Sequence, residues 1–320
     1  MPDNPSPNAS RRDALLRLAL AARDSGYHFV TPTPATHARV NARAANRWAG
    51  DLRGVLGWSR PFRAGALAPG MLGLMQQAGM LQPWEDGWRS LLRLSSLDGQ
   101  LLWHSAYPTD APDAVFFGPD SYRFAGAIQA HMQARREPLR RAFDIGCGAG
   151  PGALTIAKAH PQAQVWAGDI NPAALELAAV NADLAQAANI LPVASNLLSG
   201  AEGSFDLIVA NPPYLNDPKK RAYRHGGGPF GQQLALAMLK DALGRLAPGG
   251  SLLIYTGTAI VDGSDPFLEH ARRLLQGRPG LDWRYRELDP DVFGEELDTP
   301  AYAEVERLAA VALEAWLARP

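Results

Sequence analysis

Residues 211–214 read Asn-Pro-Pro-Tyr and directly follow a run of apolar, β-prone residues, Phe205 to Ala210. Neither proline has an N–H for a strand ladder, so a buried strand must end at this point. Asn211 offers an amide oxygen, and the carbonyl of Pro212 is held in direction by locked backbone angles. Two acceptors placed side by side can take both hydrogens of a planar –NH2 group. Holding both draws the nitrogen toward a pyramidal, nucleophilic state and aims its lone pair at an electrophile. Tyr214 adds a ring on which a flat amide or a base can stack. Asn211, Pro212, Pro213 and Tyr214 are therefore the candidate catalytic group.

A nucleophile of this kind needs an electrophile beside it, and other strand ends supply candidate binding residues. Asp144-Ile145-Gly146-Cys147-Gly148-Ala149-Gly150 ends one apolar run, RAFDI. Glycines there let the backbone turn sharply and approach a ligand, with a helix N-terminus behind. The stretch Gly148 to Ala153 also satisfies the GxGxxA form of a dinucleotide site. Asp144 argues against a pyrophosphate, because two negative groups would repel, and it suits a ligand carrying an ammonium and a sulfonium. Asp169 ends the next run and can accept both hydroxyls of a ribose. It can equally serve the N-terminus of the helix that follows. Asn196, after the third run, is placed either to read an adenine edge or to cap its own turn. Asp144, Gly146, Cys147, Gly148, Gly150, Asp169, Asn196 and Asn211 make up the candidate cofactor-binding set.

These residues have to be positioned by regular elements. RAFDI (141–145), QVWAG (164–168), NILPV (189–193), FDLIVA (205–210) and SLLIYT (251–256) are short apolar runs with helical segments between most of them. That alternation predicts a doubly wound α/β domain with a mostly parallel sheet, whose ligands bind at the carboxyl ends of the strands. Asn171 and Pro172 suit the cap and first position of a helix. Leu234, Met238, Leu239, Ala242 and Leu246 share one helical face, which Pro248-Gly249-Gly250 is expected to end.

The first third of the chain has a different texture. Residues 12–24 and 70–81 have helical spacing, and TPTPATHARV is a proline-broken linker into another helix. Asp98-Gly99 between WRSLLRLSSL and QLLWHSA predicts a tight β-hairpin. Helices followed by a hairpin are the order of a winged-helix module.

Taken together, the Asp144–Gly150 loop, Asp169 and Asn-Pro-Pro-Tyr resemble, in order and spacing, a class I S-adenosylmethionine-dependent methyltransferase over residues 116–260. The resemblance is to the HemK/PrmC-type release-factor glutamine methyltransferases and the "small" methyltransferase branch, with enzymes that methylate amino groups of DNA and ribosomal RNA as cousins. Gly227-Gly228-Pro229-Phe230-Gly231 is similar to a glycine cluster of the glutamine branch. Asn196 stands where that family often has an acid, and Tyr255-Thr256-Gly257 stands where it has Glu-x-Gly. The first 110 residues do not resemble that branch's small helical domain.

The resemblance implies a seven-stranded methyltransferase sheet, S-adenosyl-L-methionine as cofactor, and direct methyl displacement by an amino nitrogen without a metal. The change of texture along the chain divides it into three expected segments: a disordered arm (1–10), an amino-terminal α+β substrate-recognition domain (11–112) and the cofactor-binding domain (113–320). The acceptor is a protein glutamine amide or an exocyclic amine of RNA or DNA. A small-molecule N-methyltransferase and an NAD(P)-dependent oxidoreductase are the competing readings.

Composition suits a cytoplasmic protein and gives no global sign of nucleic-acid or membrane affinity. The 320 residues carry a net charge of −1 and a single cysteine, Cys147. No internal disulfide is available, no secretory signal pattern opens the chain, and no apolar run suits a membrane. Charge is uneven: residues 1–110 hold 12 Arg against 8 acids, and the remainder 19 basic residues against 24. A basic loop, Asp217 to His225, sits where substrate would enter and is read as either a phosphate contact or a solvated surface. The aromatic stretch Phe116–Phe124 is read as either a cover for the pocket or interdomain core.

Overall fold

The computed structural model describes residues 7–135 and 137–319. The amino-terminal part holds helices α1 (Pro7–Asp24), α2 (Pro34–Asn41), α3 (Leu52–Leu56) and α4 (Met71–Gln77). Two hairpins follow, β1 (Leu81–Trp84) with β2 (Gly87–Ser90), and β3 (Leu92–Leu97) with β4 (Gln100–Ser105). The second turns at Asp98-Gly99, where both residues have positive φ, as the two-residue turn requires. Residues 7–10 lie in α1, so the last part of the stretch expected to be a disordered arm is helical; residues 1–6 of it lie outside the described residues.

The remaining elements are α5 (Pro119–Ala134), β5 (Arg141–Ile145), α6 (Pro151–Ala159), β6 (Gln164–Asp169), α7 (Pro172–Leu184), β7 (Ile190–Ala194), β8 (Phe205–Ala210), α8 (Gln233–Leu243), β9 (Leu246–Ile260), α9 (Pro266–Leu275), β10 (Leu281–Asp289) and β11 (Arg307–Leu317). Seven strands form one sheet in the order β10-β11-β9-β8-β5-β6-β7. Pairing is parallel from β7 across to β9, and antiparallel where β11 meets β9 and β10. The chain reverses its winding between β5 and β8. Open α/β sheets form a ligand crevice at such a point.

Alternation along the strands builds a core on each face. Ala142, Leu207, Val209 and Leu253 pack with Phe124, Ile128 and Leu154 of α5 and α6. Phe143, Ile208, Leu252 and Ile254 pack with Leu239 of α8 and Phe267 of α9. The five expected strands are all present. The expected apolar face of α8 ends sooner than its spacing suggested: the helix stops at Leu243, and Leu246 with Pro248-Gly249-Gly250 already belongs to β9. Here the parallel pairing with β8, Phe205 to Leu246, overrides helical periodicity.

The amino-terminal part is bonded into this sheet layer. Leu15 and Leu18 of α1 share a core with Trp103 of β4 and with Leu177 and Val180 of α7. Burying a leucine or tryptophan of this kind is worth roughly 1.5–3 kcal/mol each. Asn181, wholly buried on α7, accepts from Trp103 N–H at 2.7 Å and donates to the carbonyls of Trp103 and Ala149. Swinging this part away would strand those polar groups, so its surface is held in register with the crevice.

Candidate active site

The loop after β5 is shaped by Gly146, Gly148 and Gly150, all at positive φ. The N–H groups of Gly146 and Cys147 donate to Gly168 O at 2.8 and 3.0 Å. Asp169 ties the same loop to the next strand end: Oδ2 accepts from Gly148 N–H and Oδ1 from Asn171 N–H, both at 2.9 Å. It remains half-buried and lines a cavity of about 180 Å³ with Gly146, Cys147, Gly148, Asn196 and Asn211. Each carboxylate oxygen keeps a lone pair for a further donor. The bond to Asn171 N–H meets the reading of Asp169 at the start of the following helix, and its remaining lone pairs face the cavity side of the loop.

Asn171 caps α7 through Ala173 N–H, as its position implied. Two other members of the binding set stand back. Gly150 lies behind the cavity wall, and Asp144 is 1% exposed beneath the loop. Asp144 Oδ2 accepts from Ala153 N–H at 2.8 Å, while Oδ1 has no partner among the described residues. Burial pushes this carboxyl up to about 7, the Ala153 N–H opposes that, and the charge of Asp169 adds to it. A cationic group above the loop would favour its ionised form. Burial likewise raises the Cys147 thiol, which stays protonated.

Ile170 was not singled out by sequence reasoning. It is a large aliphatic residue, 68% exposed, and it projects into the cavity between Asp169 and the capped helix. An apolar residue placed after a strand-ending acid and before a helix cap was the available signal. With Leu197 and Met238 in the same wall, it offers an apolar face for a flat ring. Diol acceptor, apolar slot and buried acid together fit a ligand with a ribose, a heteroaromatic ring and a cationic end.

Asn211 and Pro213 line both this cavity and a second one, whose walls also include Pro212, Tyr214, Asp120 and Pro34. Asn211 and Pro213 therefore stand between two adjoining spaces, while Pro212 and Tyr214 face the second. Among the described residues, neither the Asn211 amide nor the Pro212 carbonyl hydrogen-bonds to the chain. Two unspent acceptors on neighbouring residues of the second cavity, one of them also bordering the first, are what a held –NH2 group requires.

Tyr214 is fixed from behind. Its phenol donates to Asp120 Oδ2 at 2.7 Å, and that of Tyr255 donates to Asp120 Oδ1 at 2.6 Å. Arg123 joins Asp120 to Asp289. Burial, followed by the Asp120 charge, raises both phenols far above their ordinary value, so both remain donors. A Cβ at Gly257 would overlap the Tyr214 ring, and one at Gly231 its backbone carbonyl. Tyr255 and Gly257 thus meet Tyr214 from opposite needs, one supplying a second phenol to its acid and the other leaving room for its ring.

Phe116 and Tyr223 stack at 5.8 Å with planes 9° apart and also line both cavities. Phe117 and Phe124 are buried core. The aromatic stretch therefore divides its two expected roles. The basic loop does not present free arginines: Arg221 pairs with Asp217 at 2.8 Å, and Arg224 with Glu296. These pairs engage the loop's two arginines, while Lys219 and Lys220 stay exposed, so a phosphate contact there would rest on the lysines.

Comparison with known proteins adds a family context. The family model described as "Methyltransferase small domain" matches residues 127–261. A release factor glutamine methyltransferase of Deinococcus radiodurans is 31% identical over 211 residues, covering 58% of this chain and 74% of that protein. A ribosomal protein uL3 glutamine methyltransferase of Neisseria gonorrhoeae is 34% identical, covering 38% and 44%. A ribosomal RNA small subunit methyltransferase C of Pectobacterium atrosepticum is 33% identical, covering 42% and 34%. The chain spans less than half the length of the last two.

Proposed function

The chain belongs to the methyltransferase family that includes the release factor glutamine methyltransferases, and we propose that it moves the methyl group of S-adenosyl-L-methionine onto a planar amino nitrogen, a protein glutamine amide or an exocyclic amine of a nucleobase, held by Asn211 and Pro212. The observation that carries this reading is the pair of unspent acceptors, on Asn211 and Pro212, in the second cavity, with Asn211 also bordering the first. When bound, the cofactor supplies a methyl group made electrophilic by a sulfonium.

The chain's own residues do the positioning. Asp169 accepts the ribose hydroxyls, Ile170 packs against the adenine, and Asn196 borders the same end of the cavity. The glycine loop gives close backbone approach, with the Asp144 carboxylate beneath it balancing the cationic end. On the other side of the wall, Asn211 Oδ1 and Pro212 O accept the two N–H groups of the acceptor. Those two bonds strengthen as the nitrogen gains positive charge, which is where stabilisation accelerates a reaction. Tyr214, locked by Asp120, stacks on the flat acceptor and sets its plane. Pro213 fixes the turn between them. We place this activity in the cytoplasm, where the lone cysteine stays reduced.

Titration calorimetry with S-adenosylhomocysteine and, separately, with NADP tests the cofactor half of the proposal. Binding of the first and none of the second is expected. Tight NADP binding without S-adenosylhomocysteine binding would overturn it in favour of a dinucleotide-dependent oxidoreductase.

A further inference from the structure

The amino-terminal part carries a second cleft, of about 320 Å³, that methyl transfer does not use. Its walls include Arg47, Trp48, Arg60, Trp84, Arg89 and Tyr107. The cations in it are incompletely matched. Arg47 shares Glu85 at 3.3 Å, but among the described residues no carboxylate lies within ion-pairing distance of Arg60 or Arg89. Arg60 donates instead to the neutral Asn41 Oδ1 at 2.9 Å, and the buried Nε of Arg89 has no partner among the described residues. Leaving such a donor unmatched is costly unless a ligand satisfies it.

Flat rings accompany the charge. The Arg89 guanidinium lies 3.5 Å from the Trp84 ring centroid, and Arg63 lies 4.0 Å from that of Trp48. Trp84 is 36% exposed. His37 packs against Tyr107 with centroids 4.1 Å apart and planes tilted by 38°, and burial followed by the Arg93 charge lowers it to about 3, so it acts as a neutral ring.

The cleft is joined to the methyl-transfer site by short, ordered elements. Pro34 at the start of α2 lines the acceptor cavity, and His37 and Asn41 further along α2 line the cleft. An eight-residue helix spans roughly 12 Å. Tyr107 lines the cleft, while the nearby Thr109 carbonyl accepts from Tyr223, which walls both cavities of the active site. Three or so stacked nucleotides, at about 3.4 Å each, cover that distance.

We propose that this cleft binds a phosphate and a neighbouring unstacked base of single-stranded nucleic acid, and that the amine methylated at Asn211 lies on the same strand; this rests on the methyl-transfer reading above. Unmatched guanidinium groups take phosphate oxygens, and indole faces take unpaired bases. An acidic peptide would use the arginines and leave the indoles idle. RNA and DNA share this chemistry.

Fluorescence anisotropy with labelled single-stranded RNA, single-stranded DNA and an acidic peptide tests it on the full chain. Wild type, Trp84→Ala and Arg89→Ala are compared, each also titrated with S-adenosylhomocysteine. The expected result is strand binding weakened at least tenfold in each variant, with the salt slope reduced by about one for Arg89→Ala and S-adenosylhomocysteine affinity within twofold of wild type. A preference between the two strands identifies the source. Strand affinity unchanged in both variants, or the peptide binding in place of the strands, would overturn the cleft assignment. Failure of wild type to bind S-adenosylhomocysteine would instead contradict the methyl-transfer reading, independently of strand affinity.

Discussion

The phenol of Tyr214 donates to Asp120 Oδ2 across 94 positions of sequence, at 2.7 Å and out of reach of solvent. The stacking ring of the proposed acceptor site is thus positioned by an acid on α5, which Tyr255 and Arg123 also hold. Asp120→Ala would leave two buried phenols unpaired, at about 1–3 kcal/mol each. Its expected signature is a lower melting temperature and a lower kcat with cofactor affinity retained. Tyr214→Phe keeps the ring and should lose only part of the activity. Equal kcat in Asp120→Ala and wild type would show that the network does not position the acceptor.

Gly257 is constrained by the same ring. A Cβ there would overlap Tyr214, so Gly257→Ala must displace the tyrosine or the strand end. A kcat reduced about tenfold or more, with S-adenosylhomocysteine affinity near wild type, is the expected split. Loss of both together would place Tyr214 in the cofactor cavity instead.

Asp169 and Ile170 should separate in the opposite way. A hydrogen bond to a charged group is worth about 1.5–3 kcal/mol, so Asp169→Asn is expected to weaken S-adenosylhomocysteine binding about tenfold to a hundredfold. Ile170→Ser should weaken it about tenfold through lost apolar contact. Calorimetry checks both. Unaltered affinity in Asp169→Asn would leave that residue only its role in tying Gly148 to Asn171.

Asp144 carries a stability cost that depends on pH. In the unfolded chain its pKa is near 3.9, and in the fold burial raises it to about 7 against the pull of Ala153 N–H. A folded value above the unfolded one means that the unfolded state loses its proton first. Stability attributable to this group therefore falls between about pH 4 and pH 7 and is level above that. Asp144→Asn, which keeps an oxygen for Ala153, is expected to melt higher than wild type at pH 8 and to lose that advantage toward pH 4. An advantage that does not change with pH would contradict the assignment.

Much of this architecture was legible in the sequence, and the failures have physical causes. The strand ending at Ala210 could be read because two prolines cannot extend it, and α7 because Asn171 and Pro172 mark its start. The last strand, RLAAVALEAWL, is rich in good helix formers. It is a strand because β9 and β10 flank it and both its faces are buried, a context that no local window contains. Asp120 escaped notice as part of the site for the same reason, since only the fold brings it to Tyr214. The pairing of Arg224 was not legible because its partner, Glu296, lies 72 positions away.

The most direct test of the central claim is transfer of labelled methyl from S-adenosylmethionine into an extract of cells lacking this protein, by wild type and by Asn211→Ala. The expected result is label in a nuclease-sensitive or protease-sensitive product with wild type, a rate about a hundredfold to a thousandfold lower in the variant, and S-adenosylhomocysteine affinity within a few-fold of wild type in both. Near-normal turnover by Asn211→Ala, or no transfer and no cofactor binding by wild type, would contradict it.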